Sequence, residues 1–452
     1  MFGKKALNRK MSSYEIVFFN SPIYAQSVDD GEDYLPPLGQ GYIVTQLEKA
    51  GINVKFIDCV NEKWGVKEVA EFINEGKFPN VALNVFSVNL DIVKSIVENV
   101  NRKINWYFGG KAMRFLWRTM LSWPWNDNKV IYTIGECDSI YTDLLREECI
   151  ESPIYQQLNQ RVYLVDKYSK YYPQNLDKYI LNRKLFKDRS IINHYGRIEE
   201  CIITSRECIY NCAFCGGARY ANCDTTVRNR SSENVISEIE EITAMNPKVN
   251  SIRVLDDLFL KNRSSIIEAV KIFEKFSEIH WRGMAHVNSI LGNFDLINQL
   301  KCSGCDELFV GIESGSSKVR KQIHKVGTVE EVRKVIRNLL EAGIDVKGYF
   351  ICGFPNENKK QMEETVQLAN TLKLYAENLK GNFRATAFQF RPYHGTELYD
   401  YLIRRGKVIE NYHMTDNTSS KKQYSFITEN YSLVDDRLLK QFIEEVCKKR
   451  VD

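Results

Sequence analysis

Twice along this chain, from Tyr14 to Leu145 and again from Glu199 to Arg391, short runs of β-branched, aromatic and aliphatic residues alternate with longer segments of helical apolar spacing. Strands that are each followed by a helix lie parallel, with the helices packed on the sheet faces, so this rhythm permits few folds. In the first series strands read at 14–19, 52–58, 80–86, 104–108 and 130–134, and helices at 38–50, 65–75, 90–102 and 138–145. Gly51 stands where the first helix needs its C-terminal stop. The pattern predicts a Rossmann-like, doubly wound parallel domain over 12–150. No Gly-x-Gly-x-x-Gly follows its first strand, so a dinucleotide site has no backbone signature here. In the second series strands read at 200–205, 251–256, 281–287, 307–313, 346–352 and 384–391, with helices at 231–245, 263–276, 294–301, 328–342 and 359–376. Six strand–helix units without a seventh and eighth predict a partial (β/α)6 TIM-type barrel over 198–405. Residues 151–197, rich in Tyr, Lys, Asn and Gln and weakly periodic, read as a connector. Residues 406–452 read as a small helical region, amphipathic from Leu433 to Val446.

Just after the first strand of the second series comes Cys208-Ile-Tyr-Asn-Cys212-Ala-Phe-Cys215, followed by two glycines. Three thiolates at this spacing can face one centre and leave it a ligand short. A structural zinc takes four ligands, and a ferredoxin-type [4Fe–4S] cluster takes four cysteines. Two plainer readings stand beside an open iron–sulfur site: zinc with Cys201 or Cys223 as the fourth ligand, or unligated core cysteines.

The motif resembles the signature of the radical S-adenosylmethionine (SAM) superfamily. In that family three cysteines hold a [4Fe–4S] cluster, and the SAM amino and carboxylate groups chelate its fourth iron. Further phrases resemble the family in order, each at a predicted strand end, where the loops of a βα barrel converge on the active site. They are Asp256-Asp257-Leu-Phe, Gly311-Ile-Glu313-Ser314-Gly315, Gly353-Phe-Pro-Asn-Glu357 and Gly395-Thr-Glu-Leu-Tyr399, the last with His394 where the family has proline.

The resemblance implies that Cys208, Cys212 and Cys215 hold the cluster and that Phe214 packs near adenine. It sets Asp256 and Asp257 beside the methionyl group, lets Glu313, followed by Ser314, reach SAM, and brings the Gly353 backbone close to adenine. Either aspartate can instead cap the following helix. Glu313 stands out on physical grounds too, because a carboxylate in an apolar strand is costly to bury without a partner. Arg282 can pair the SAM carboxylate in a bidentate fork or form an ordinary salt bridge. His286 reads as a core histidine or a proton donor; Gln389, Arg391 and His394 face substrate or hold their loop. Cys302-x-x-Cys305 reads as packing.

The first domain also carries phrases similar to the cobalamin-binding-type domain of one radical SAM subgroup: Leu35-Pro-Pro-Leu-Gly-Gln-Gly, Tyr107-Phe-Gly-Gly-Lys111 and Ile134-Gly-Glu-Cys-Asp138. The family's histidine-bearing loop is replaced by Asn20-Ser-Pro-Ile-Tyr, and the first histidine of the chain is His194. Cobalamin, if bound, is then bound without a histidine below the cobalt; otherwise the domain has lost the corrin and shapes the substrate pocket.

The function implied is an enzyme that cleaves SAM reductively to a 5′-deoxyadenosyl radical. Cobalamin-dependent methyl transfer to an unactivated atom of a small molecule or peptide is the first outcome. A cobalamin-free rearrangement or 3-amino-3-carboxypropyl transfer is the second. An Fe–S electron-transfer or scaffold protein would need the cysteines but no SAM pocket. An electron donor such as flavodoxin or ferredoxin is expected as partner. A net charge of +4 gives no support to nucleic-acid or membrane-surface binding. No run approaches the ~20 apolar residues of a membrane span, and the basic start, Met1 to Lys10, is not followed by a signal-peptide core. A reducing, cytoplasmic setting is the expectation.

Overall fold

The computed structural model describes residues 14–23, 35–125, 127–186, 191–408 and 429–448. The basic start and residues 409–428 of the expected C-terminal helical region lie outside the described residues.

The first series folds as β1 (Ile16–Asn20), α1 (Leu38–Lys49), β2 (Val54–Asp58), α2 (Val66–Glu75), β3 (Asn80–Asn84), α3 (Leu90–Glu98), β4 (Asn105–Gly109), α4 (Met113–Met120), β5 (Val130–Gly135) and α5 (Ile140–Arg146). A hairpin, β6 (Tyr155–Gln157) and β7 (Gln160–Val165), follows. The sheet order is β2-β1-β3-β4-β5-β7-β6, parallel except for β6. Strand β1 is buried on both faces, which is why it reads as an unbroken apolar run rather than an alternating one.

The boundary expected at residue 150 therefore falls inside a sheet. Strand β7 continues it in parallel with β5, and β8 (Ile191–Ile192), also from the expected connector, joins the second sheet. The hairpin was hidden by its polar run Gln156-Gln-Leu-Asn-Gln160, which suits an edge. Helix α4 is only eight residues long, so the helical spacing of its buried Met113, Leu116, Trp117 and Met120 went unread.

The second series gives β9 (Ile198–Ile202), β10 (Ser205–Arg206), β11 (Arg228–Asn229), α6 (Ser232–Met245), β12 (Ser251–Val254), α7 (Arg263–Phe273), β13 (His280–Ala285), α8 (Val287–Leu291), α9 (Ile297–Cys302), β14 (Cys305–Glu313), α10 (Ser317–Gln322), α11 (Val329–Glu341), β15 (Asp345–Cys352), α12 (Lys359–Glu377), β16 (Phe383–Gln389) and α13 (Glu397–Arg404). Strands β9, β12, β13, β14, β15 and β16 lie side by side in chain order and parallel, with β8 antiparallel at the β9 edge. The sheet is a curled partial barrel. Helices begin where side chains satisfy their first amides: Thr328 with Glu331 for α11, and Asn358 with Gln361 for α12.

The free edge at β16 is covered by α14 (Asp436–Cys447), which buries Leu439, Phe442 and Val446; the Ala387 amide donates to Cys447 Sγ at 3.2 Å. Lys373 Nζ donates to the carbonyls of Val446 and Lys448 at 2.7 and 2.8 Å, a cation at the negative end of the helix. Among the described residues no helix is long and apolar enough to cross a membrane.

Candidate active site at the mouth of the partial barrel

Asp256, just beyond β12, ties the first two strand ends together. It accepts from the Thr204 amide at 2.7 Å and from the Thr204 and Ser205 hydroxyls at 2.6 Å each. Burial raises its carboxyl and Lys261 opposes this, with Lys261 Nζ donating to Ser205 Oγ at 2.6 Å. From this root the chain enters the cysteine loop. Amides of Tyr210 and Gly217 donate to the sulfurs of Cys208 and Cys215 at 3.5 and 3.3 Å, an arrangement that favours thiolate. The Ala213 amide donates to Ile323 O at 3.0 Å and its carbonyl accepts from Leu398 at 2.9 Å, so the turn is pinned between α10 and α13. Phe214 packs edge-on against Phe354, with ring centroids 5.6 Å apart.

Burial pushes all three thiols up, Cys215 to about 12, so a metal centre has to displace protons to bind here. Among the described residues no three His, Cys, Asp or Glu side chains close on a single ion position. The donors the loop offers are three free thiols, Cys208, Cys212 and Cys215, all on one turn and each partly buried.

Opposite the loop, β14 ends in a bulge between Gly311 and Glu313, and Glu313 sits at φ +65°. For a glutamate this left-handed conformation costs roughly 1–3 kcal/mol, and bulges of this kind re-aim a side chain. The carboxylate folds back over Gly311, where any Cβ would strike it. Its Oε1 accepts from Lys325 Nζ at 3.1 Å, in a pair only 9% and 6% exposed. Both charges act on the Cys212 thiol.

His286, at the end of β13, stacks on Tyr210 of the cysteine loop at 3.9 Å between centroids. Its Nδ1 accepts from the Asn288 amide at 3.1 Å, so the neutral ring carries its hydrogen on Nε2, which is buried without a partner. Burial, then Lys325 and Arg320, hold its pKa down to about 3.

The N-terminal sheet points the carboxyl ends of its strands at this mouth. Lys111, after β4, pairs Asp257 at 3.2 Å; Ser87, after β3, hydrogen-bonds His394 at 3.0 Å; Glu136 and Asp138, after β5, pair Arg206 at 2.7 Å. Asp257 in turn borders the cysteine loop, its carboxyl 3.4 Å from where a Cβ on Gly217 would lie.

The sequence profile of the radical SAM superfamily matches residues 202–369, the stretch that contains the cysteine loop and the Glu313 bulge. This stretch is a radical SAM domain. This radical SAM enzyme is 25% identical over 391 residues to the uncharacterized methyltransferase PH0819 of Pyrococcus horikoshii, covering 83% of this chain and 80% of that one. Its fold is similar to that of the radical SAM methyltransferase TsrM from Kitasatospora setae, with TM-score 0.63 and 13% identity over 87% of this chain and 77% of TsrM. It is likewise similar to the cobalamin-dependent radical SAM enzyme OxsB, with TM-score 0.63 and 16% identity over 91% of this chain and 65% of OxsB. The likeness covers 87–91% of the chain and so takes in both sheets, which share the fold of these two enzymes.

In this radical SAM enzyme the structure brings Cys208, Cys212, Cys215, Phe214, Asp257 and Glu313 to one mouth. It sends Arg282 elsewhere. Arg282 is the third residue of β13, and its guanidinium is held by Glu199 at 2.5 and 2.8 Å and by Glu307 at 3.1 Å, buried at the opposite end of the barrel. It serves the fold rather than the SAM carboxylate. Asp256 is spent on Thr204 and Ser205, and Ser314 on Thr365 Oγ1 at 3.1 Å and the Ser316 amide at 3.1 Å. Gly353, at φ +88°, gives its amide to Glu357 Oε2 at 2.7 Å, and the Phe354 amide joins at 3.0 Å. Burial lifts the Glu357 carboxyl to about 7 against those two amides, and Oε1 has no partner. Lys325 was missed, because in sequence it is one more cation after Lys318, Arg320 and Lys321.

Proposed function

We propose that this radical SAM enzyme is a methyltransferase acting on a small-molecule substrate, with a [4Fe–4S] cluster on Cys208, Cys212 and Cys215. When bound, the reduced cluster supplies one electron to the sulfonium of SAM, and cobalamin would supply a carrier for the methyl group. The observation that carries this reading is the buried Glu313–Lys325 pair, strained into place beside Cys212. An amino acid zwitterion presents an ammonium and a carboxylate side by side. Glu313 suits the first and Lys325 the second, each exchanging its present partner for one on the ligand. Phe214 and Phe354 pack edge-on against each other at the cysteine loop and offer an apolar surface there. Asp257 and Lys111 border the cleft that a substrate would enter.

The N-terminal domain fits a corrin held without a protein ligand to cobalt. Its strand order reverses between β1 and β3, the crevice where open α/β sheets bind ligands. There Asn20, Asp58 and Asn84 satisfy one another, while Ser21 Oγ is buried with no partner. The relatives' names support methyl transfer. The electron would come from a flavodoxin or ferredoxin reaching the outer side of the cysteine loop, where Arg219 and Tyr220 are exposed.

The test is anaerobic reconstitution followed by dithionite reduction with SAM carrying a trideuterated methyl group. Release of S-adenosylhomocysteine or 5′-deoxyadenosine, with a three-deuteron mass gain in a candidate substrate, is expected. Intact SAM under reducing conditions with a loaded cluster would sink the proposal.

A further inference from the structure

The cysteine loop leaves and re-enters the barrel through a neck of two residues per strand, β10 against β11, in which Arg206 lies directly opposite Arg228. Like charges at opposed positions destabilise an antiparallel pair. Left to itself, this neck would open. Glu136, from the loop after β5 in the other domain, enters between the two arginines. Its Oε2 accepts from Arg206 Nη1 at 2.7 Å and its Oε1 accepts from Arg228 Nη2. Asp138 takes both terminal nitrogens of Arg206 at 2.7 Å. Arg228 is aimed by its own contacts: Nε donates to Thr226 O at 2.9 Å, Nη1 donates to Pro173 O at 2.7 Å, and its plane lies 4.2 Å over the Tyr172 ring. The far side of the loop is braced from the same direction, Asp224 pairing Arg114 and its carbonyl accepting from the Lys167 amide at 2.9 Å.

We propose that Glu136 is a positioning residue for the iron–sulfur cluster. By neutralising the opposed arginines it holds the neck shut and fixes the spacing of the two chain ends from which Cys208, Cys212 and Cys215 hang. The cluster loop thus takes its shape from the docking of the N-terminal domain, and the Ile134–Asp138 phrase serves the cysteines rather than a ligand of its own domain. This rests on the cluster assignment above.

The test uses the full-length reconstituted enzyme with Glu136→Gln, which keeps the size but offers an amide NH2 to one guanidinium. Iron loss to a ferrous chelator should accelerate at least tenfold, and hydrogen exchange across 207–227 should quicken while β1, β3 and β4 keep wild-type protection. The double variant Glu136→Gln/Arg228→Gln removes one of the opposed charges as well, and it should recover most of the wild-type iron retention. A role confined to gluing the domains predicts the reverse, because the second change deletes another interface contact. Wild-type iron retention in Glu136→Gln, or faster loss in the double variant than in the single one, overturns the proposal. If Glu136→Gln does not fold, recovery of folded, iron-retaining protein in the double variant supports it, and failure to recover overturns it. If the wild type takes up no cluster, the cluster assignment fails, and exchange across 207–227 still decides the role of Glu136.

Discussion

Replacing Glu313 by glutamine separates binding from folding more cleanly than any other single change at this site. The amide keeps the length of the side chain and one acceptor for Lys325 Nζ, now at 3.1 Å from Oε1. Lost are the negative charge and the pull it would exert on an ammonium. A hydrogen bond to a charged group is worth roughly 1.5–3 kcal/mol, which at about 1.4 kcal/mol per tenfold predicts one to two decades in SAM affinity. Alanine at the same position leaves Lys325 buried and unpaired, a change that costs about 3–5 kcal/mol of stability. Glycine removes the same carboxylate but accepts φ +65° without strain, so it should be more stable than alanine by about 1–2 kcal/mol. Anaerobic calorimetric titration with SAM, iron analysis and urea unfolding measure the three quantities. Wild-type SAM affinity in fully iron-loaded Glu313→Gln would refute the binding role; equal stability of the glycine and alanine variants would refute the strain.

Asp256→Asn should cost roughly 2 kcal/mol or more in urea unfolding, because one amide oxygen replaces two carboxylate oxygens that now accept three hydrogen bonds. Glu357 titrates near 7 in the folded state against an ordinary value of 4.5, so the native state binds more protons and stability falls as pH rises from about 4.5 to about 7. The fall attributable to this group should reach roughly 3 kcal/mol, and Glu357→Gln should flatten it in unfolding curves taken across that range. Triple alanine replacement of Cys208, Cys212 and Cys215 should abolish the brown absorbance and the roughly four irons expected of a bound cluster; retained iron would remove the ligand assignment.

The strand ends were legible because each follows a short apolar run and precedes a helix, and the cysteine loop, Asp257 and Glu313 sit at such ends. Arg282 was misread for the same reason. Position on a strand does not reveal that its partners, Glu199 and Glu307, approach from 83 and 25 residues away. A run such as Asp256-Asp257 conceals two fates, since one carboxylate turns inward to Thr204 and the next outward to Lys111. Lys325 was illegible because its meaning depends on the bulge at Glu313, a backbone event with no sequence signature beyond Gly311. The hairpin of β6 and β7 went unread because the polar run from Gln156 to Arg161 precedes the apolar Val162-Tyr-Leu-Val165 that is buried in the sheet. The neck at Arg206 and Arg228 is too short for periodicity to register and is completed by a carboxylate from another domain.

The central claim is that three cysteines leave one iron of the cluster open for SAM. Electron paramagnetic resonance of the reduced, reconstituted enzyme, recorded with and without SAM labelled with 15N in its amino group, tests it most directly. The account predicts a change in the cluster spectrum on adding SAM and a nitrogen hyperfine coupling from the label. An unchanged spectrum with no coupling, at saturating SAM and full iron loading, would contradict it.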